Sequence, residues 1–149
     1  MRLERLPPTD WERFRAIRLR SLRTDPHAFG SEYAEVSSRP PQSWIGQLEG
    51  LPTWVVSHEG RDQGVVRFVP SSEHSPAELI SLWVAPEVRG QGVARRLIQC
   101  VIDAVREQGE ERLRLAVKAD NHTALGLYGA LGFVEIATAG EELLMELRL

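Results

Sequence analysis

The sequence predicts an α/β fold, a sheet with helices on both faces, from three observations. Apolar runs of strand length alternate with segments of helical period along the whole chain. Between residues 79 and 94, LISLWVAPEVRGQGVA, an apolar strand runs into a glycine turn and then into a helix. In that helix Val93, Leu97, Val101 and Val105 recur every four residues, with Ile98 and Ile102 beside them. This is the stripe of a helix packed on a sheet. At 149 residues, with no repeat, low-complexity run or linker, the chain is expected to form one domain, 1–149.

Each element has its own signal. Arg2 to Leu6 alternates as a short strand, and Pro7-Pro8 stops it. Thr9-Asp10-Trp11-Glu12 fits a capping box, so a helix should begin near Asp10 and bury Trp11, Phe14 and Ile17. It should end before Asp25-Pro26, because a residue preceding proline avoids the α region. Residues 26–40 read as an irregular loop. A short helix follows Pro40-Pro41 through Trp44, Ile45 and Leu48. Thr53–Ser57 and Gln63–Val69 are strands of a hairpin around Glu59-Gly60-Arg61-Asp62. A polar loop, Ser71 to Pro76, precedes the strand 78–84, and Gly109 ends the helix after the glycine turn. Leu113–Val117 is a strand, Thr123–Leu131 a helix with Gly132 as its C-cap, and Phe133–Ala137 a strand. The last segment places Leu143, Met145, Leu147 and Leu149 on one face of a half-buried strand.

Composition narrows the function. A single cysteine, Cys100, excludes an internal disulfide and suggests a reducing compartment. The N-terminus lacks an apolar signal core and no run reaches the ~20 apolar residues of a membrane span, so a cytoplasmic protein without a membrane partner is expected. A net charge of −3 argues against nucleic acid as a partner; Arg13, Arg15, Arg18, Arg20 and Arg23 read as a solvated helix face. Histidines 27, 58, 74 and 122 have no metal-ligand spacing, and no metal is expected. Cys100 lies in the third turn of its helix among apolar positions, so covalent catalysis through it is not expected.

The glycine turn carries the chemistry. Strand, turn and helix aim free backbone N–H groups and a positive helix end at one spot, which suits a pyrophosphate. Gly90 and Gly92 let the backbone approach without a Cβ, the amides of residues 90–94 can form an anion nest, and Arg89 adds charge. Arg95 stands where a dinucleotide fingerprint needs its third glycine, and the Gly-Lys-Ser/Thr ending of a P-loop is absent.

The residues Arg89-Gly90-Gln91-Gly92-Val93-Ala94 resemble motif A, Q/R-x-x-G-x-G/A, of the GNAT superfamily of acetyl-CoA-dependent N-acetyltransferases. Residues 121–133, NHTALGLYGALGF, are similar to the family's N-x-x-A-x-x-L-Y-x-x-x-G-F segment. The resemblance implies a mixed, mostly antiparallel sheet of six or seven strands, with parallel strands 78–84 and 113–117 splayed to admit acetyl-CoA as cosubstrate. Leu82, Trp83 and Val84 would bond along the pantetheine arm as an added strand does. Arg89, Gly90, Gln91, Gly92, Val93, Ala94 and Arg95 would hold the pyrophosphate, with Arg96 near them. Asn121 and Ala124 would meet the cofactor, Asn121 also capping its helix.

The catalytic assignments are likewise implied by resemblance. Tyr128 would protonate the leaving thiolate, a phenol of pKa ~10 being matched to a thiol. The Val84 N–H would stabilise the oxyanion. Glu78 stands where some family members carry the catalytic base, the alternative being a solvated strand-end glutamate. The expected partner besides acetyl-CoA is an amine, preferentially a small molecule; a second copy of the chain is a candidate. Alternatives are a peptide or protein N-terminal or lysine amine, or a non-catalytic acetyl-CoA-binding regulatory module. The acceptor pocket is expected from residues 10–50 and the loops at 70–77 and 136–142, with Phe29, Tyr33 and Trp44 either lining it or filling the core beneath the first helices, and Glu32 and Glu35 as candidate contributors.

Overall fold

The computed structural model describes residues 1–28 and 32–149, and their apolar runs assemble into a seven-stranded sheet. Strand β1 (Arg2–Arg5) leads through one 3₁₀ turn into helix α1 (Trp11–Thr24), which stops before Asp25-Pro26. Helix α2 (Tyr33–Ser37) is five residues long, and α3 (Pro41–Gly50) has proline in its first turn, where a missing N–H leaves no bond unmade. Strands β2 (Thr53–His58) and β3 (Arg61–Val69) turn tightly at Glu59 and Gly60, whose φ of 52° and 76° suit a two-residue hairpin. Then come β4 (Ala77–Val84), α4 (Val93–Glu107), β5 (Arg112–Lys118), α5 (His122–Ala130), β6 (Val134–Ala139) and β7 (Glu142–Arg148).

The strand order is β1-β2-β3-β4-β5-β7-β6, antiparallel at each step except between β4 and β5. That parallel pair is in register only at Ala77 with Leu113 and Glu78 with Arg114. Beyond residue 78 the strands diverge, leaving part of the β4 edge unpaired. One face of the sheet carries α4, whose Val93, Leu97, Ile98, Val101, Ile102 and Val105 are all buried. It approaches β3 closely: a Cβ on Gly64 would lie 3.0 Å from Leu97 Cδ1 and 3.1 Å from Val93 Cγ1. The other face carries α1, with Phe14, Ile17 and Leu22 buried and Phe14 edge-on to Trp44 of α3, centroids 5.6 Å apart.

Four expectations are corrected. The capping box does not form: Thr9 and Asp10 belong to the 3₁₀ turn, and Asp10 sits at the N-cap without a side-chain cap bond. Trp11 is only half buried. The segment 26–40 contains a 3₁₀ turn and α2 rather than continuous loop. The α1 arginines are not a solvated face. Arg13 is held by Glu4 at 2.6 Å and by Asp62 at 2.9 Å, Arg20 donates to the Asp62 carbonyl, Gln63 and Glu87, and Arg23 lies over the Tyr33 ring. These partners are far apart in sequence, so local pattern could not reveal them.

Candidate active site

The divergence of β4 from β5 opens a cleft with two lobes. The larger, about 690 Å³, is lined by Leu82, Trp83, Val84, Arg89, Gly90, Gly92, Val93, Ala94, Arg95, Asn121, Ala124 and Tyr128, joined by Asp25, Val88, Thr123 and Leu127. Twelve of the thirteen residues expected to contact the cofactor thus share one cavity; Gln91 is exposed and outside its lining. The smaller lobe, about 400 Å³, is lined by Arg18, Glu78, residues 79–82 and 115–118, Asn121, Ala124, Tyr128 and Glu142. The lobes meet at Leu82, Asn121, Ala124 and Tyr128.

Backbone geometry explains the polar end of the larger lobe. Gly90 and Gly92 have φ of 79° and 78°, the left-handed region that glycine enters without a Cβ penalty. Gly92 is the N-cap of α4, and the Arg96 N–H donates to its carbonyl at 3.1 Å. The amides of Val93, Ala94 and Arg95 therefore have no acceptor within the helix and point out of its positive end. A Cβ on either glycine would meet no atom within 4 Å, so φ and the room left for a ligand, not crowding, reserve these positions.

Arg89 departs from its expected role as a free charge beside the nest. Its Nε donates to the Val84 carbonyl at 3.0 Å and its Nη2 to Asp25 Oδ2 at 2.7 Å. The same Asp25 oxygen accepts from Trp83 Nε1 at 2.7 Å, and Arg20 lies over the Trp83 ring. Asp25 thus ties the end of α1 to β4 and to the turn before the nest. No local signal in the sequence marked it.

A second feature missed from sequence is a bulge in β4. Val65 faces Trp83 and Arg67 faces Ile80, so Ser81 and Leu82 together oppose Val66. Ser81 has φ of 57°, strained for a residue with a Cβ. A bulge bends its strand and re-aims backbone groups. Here it lies on the wall of the smaller lobe, and Leu82 lies where both lobes meet.

Tyr128 is buried at the junction, its ring edge-on to Phe133 with centroids 5.7 Å apart. Burial pushes its hydroxyl pKa up to about 12, so it keeps its proton at neutral pH. Asn121 caps α5, its Oδ1 accepting from the Ala124 N–H at 3.2 Å. Glu78 is exposed on the smaller lobe's wall. Burial first and Asp103 second push the Cys100 thiol up to about 11, leaving it a poor nucleophile.

The other acceptor-side expectations need correction. Of the two places open to Trp44 it takes the core, donating from Nε1 to the Arg39 carbonyl, and Tyr33 lines neither lobe. Glu35 binds Arg39 at 3.0 Å, Glu32 is exposed at the N-cap of α2, and Phe29 lies outside the described residues. The loop at 71–76 lines a separate hollow with residues 109–112. From the expected regions only Arg18 and Glu142 reach the smaller lobe. Among the described residues no cluster of three metal-ligating side chains occurs, and no helix is long and apolar enough to cross a membrane.

A cleft of this form can hold a long ligand in one lobe and a second molecule in the other, with Tyr128 as a proton donor between them. Residues 11–133 match the acetyltransferase (GNAT) family. Among curated relatives, the uncharacterized N-acetyltransferase YjgM of Escherichia coli (strain K12) is 35% identical over 89 residues, 58% of this chain and 53% of that protein. The ribosomal protein bS18-alanine N-acetyltransferase of the same organism is 39% identical over 59 residues, 40% of each chain. The matches span about half the length of these relatives or less. The PaiA N-acetyltransferase from Thermoplasma acidophilum, solved in complex with coenzyme A, superposes with a TM-score of 0.80 at 19% identity, covering 100% of both chains.

Proposed function

This chain belongs to the acetyltransferase (GNAT) family, and from that premise we propose that it transfers acetyl from acetyl-CoA to a primary amine by direct attack in a ternary complex. The observation that carries the reading is the two-lobed cleft whose lobes meet at a buried, protonated Tyr128.

The residues present suit the cosubstrate. Left-handed Gly90 and Gly92 and the free amides of Val93 to Arg95 offer a pyrophosphate a set of donors at a positive helix end. Leu82, Trp83 and Val84 lie where β4 has left β5, so that edge of their backbone is available to a pantetheine arm. Acetyl-CoA supplies the activated acyl group.

The chain's own residues then have three tasks. The Val84 N–H stabilises the developing oxyanion. Tyr128 gives its proton to the departing sulfur; burial holds that proton on the phenol at neutral pH and makes it a weaker acid than a free phenol. Glu78, on the wall of the acceptor lobe, takes the amine's proton directly or through water. A lysine-like amine has pKa ~10.4, so some acceptor is needed at neutral pH.

The acceptor in this reading is a small molecule. A lobe of about 400 Å³ falls within the ~300–1,000 Å³ of small-ligand pockets. The test is acetyl-CoA turnover, followed as thiol release, against small amines and against peptides with free N-termini or lysines. Saturable turnover with small amines and weak turnover with peptides is expected. Preference for peptides would move the acceptor to that class, and saturable CoA binding without turnover of any amine would indicate a regulatory module.

A further inference from the structure

Asp25 lines the lobe read as the cofactor's, although a carboxylate on the wall of a pyrophosphate site repels the phosphates. Its place is fixed from both sides. Its backbone N–H closes helix α1 on the Ser21 carbonyl at 2.9 Å, and Pro26 keeps the residue before it out of the α region. Asp25 Oδ2 accepts two bonds of 2.7 Å, from Trp83 Nε1 and from Arg89 Nη2. The Arg89 side chain is 49% exposed and that of Asp25 31%, and ion pairs this open to solvent add little to stability. What the pair supplies is geometry.

That geometry ends on Val84. In the β3–β4 ladder Gly64 faces Val84, and the next residue, Ala85, donates to the Gln63 carbonyl at 2.8 Å. Antiparallel pairs alternate between bonded and non-bonded, so Val84 turns its own N–H and C=O away from β3, towards the seam. β5 pairs with β4 only at Ala77 and Glu78, so no strand meets those groups there. Arg89 stands in for the missing strand at the carbonyl. Its Nε donates to Val84 at 3.0 Å while Nη2 of the same planar fork is held by Asp25. Because Trp83 and Val84 are neighbours, indole, carboxylate, guanidinium and carbonyl form a closed loop on the end of β4. The carbonyl keeps a second lone pair for a ligand N–H.

We propose that Asp25 is a positioning residue for acetyl transfer: acting through Arg89, it holds Val84 in strand geometry on the open edge of β4, so that acetyl-CoA meets a preformed edge with the Val84 N–H aimed at the thioester oxygen. This rests on the acetyltransferase reading of the same cleft. A donor set in place beforehand stabilises the oxyanion without reorganising at the moment of transfer. The same bond to Asp25 keeps Arg89 from the phosphates, so the carboxylate serves rate and not affinity.

The experiment measures CoA affinity by calorimetry, and kcat at saturating acetyl-CoA with the best amine of the acceptor panel, in wild type, Asp25→Asn, Arg89→Ala and the double variant. Asp25→Asn should lower kcat by about 10-fold or more, a misplacement of 1 Å being able to cost ~10²-fold. CoA should bind it as tightly as wild type or more tightly, because a negative charge has left the lobe and Arg89 is released. In the Arg89→Ala background the same substitution should cost kcat less than about threefold, since residues acting through one another are not additive. Arg89→Ala removes only a half-exposed side chain, so it should fold even where Asp25→Asn does not, and it should by itself lower kcat by about 10-fold or more. A smaller loss of kcat in either single variant would overturn the proposal. So would an Asp25→Asn protein that loses CoA affinity along with kcat, the mark of a merely structural residue, or one whose loss of kcat recurs in full without Arg89. These outcomes leave the acetyltransferase reading standing; wild type that binds no CoA, or acetylates no amine, would overturn both.

Discussion

Tyr128 owes its chemical state to its place on α5: the helix buries its ring against Phe133 and leaves it at the junction of two lobes. A phenol with pKa about 12 remains the neutral acid across the working range. Two outcomes follow for the pH profile of kcat. The rate should rise with pH as the acceptor amine loses its proton, and it should not fall on the alkaline side until pH nears about 12. A limb descending below about 10, the ordinary phenol value, would assign the acid to another group. Tyr128→Phe keeps the edge contact with Phe133 and removes only the proton. Its kcat should fall by roughly 10²-fold with acetyl-CoA affinity nearly intact. Turnover within about threefold of wild type would remove this hydroxyl from the chemistry. Tyr128 and Asn121 were legible at this scale because their motif spacing is local; Asp25 and Arg67 were not, because their partners come from other elements.

At the scale of elements, α4 does two jobs: its N-terminus presents the free amides and its apolar stripe clamps the sheet. The clamp depends on Gly64, where β3 passes under Val93 and Leu97. Gly64→Val would drive a branched side chain into contacts already at 3.0 and 3.1 Å. Overpacking of this kind costs about 1–3 kcal/mol. Urea unfolding should show that loss as a lower midpoint with an unchanged slope, and an unchanged midpoint would mean the helix–sheet contact is looser than described. The four-residue recurrence of α4 and the alternation of β7 made those elements readable, since one buried face imposes a period on the sequence. The bulge at Ser81 and Leu82 had no such signal. It arises because two residues of β4 oppose Val66 of β3, a property of the pair and not of either strand. Helix α2 escaped notice for the related reason that one buried residue, Val36, carries no period.

At the scale of the molecule, the cleft is a consequence of topology. β4 and β5 are the parallel pair of an otherwise antiparallel sheet, paired at only two positions before they diverge. Antiparallel hairpins on one side and the β5-β7-β6 unit on the other leave this seam as the place where a ligand can substitute for a strand. The splay was expected only through resemblance to a family, because no run of residues encodes the loss of a partner. The acceptor lobe was the least readable part: it draws on α1, β4, β5, α5 and β7 at once, while of the aromatic residues weighed for it Trp44 fills the core and Tyr33 is exposed away from it. In the proposed reading the glycine nest holds the cofactor's pyrophosphate, and that can be tested without knowing the acceptor. Calorimetric titration of acetyl-CoA into wild type and into folded Gly92→Leu is that measurement. Saturable binding by wild type, at a dissociation constant in the ~1 μM to 1 mM range common for enzyme substrates, is predicted. In Gly92→Leu, with a side chain forced to φ of 78° at the helix N-cap, affinity should fall by at least about 100-fold. Wild type that binds no acetyl-CoA, or a folded variant that binds it as well as wild type, would contradict the account.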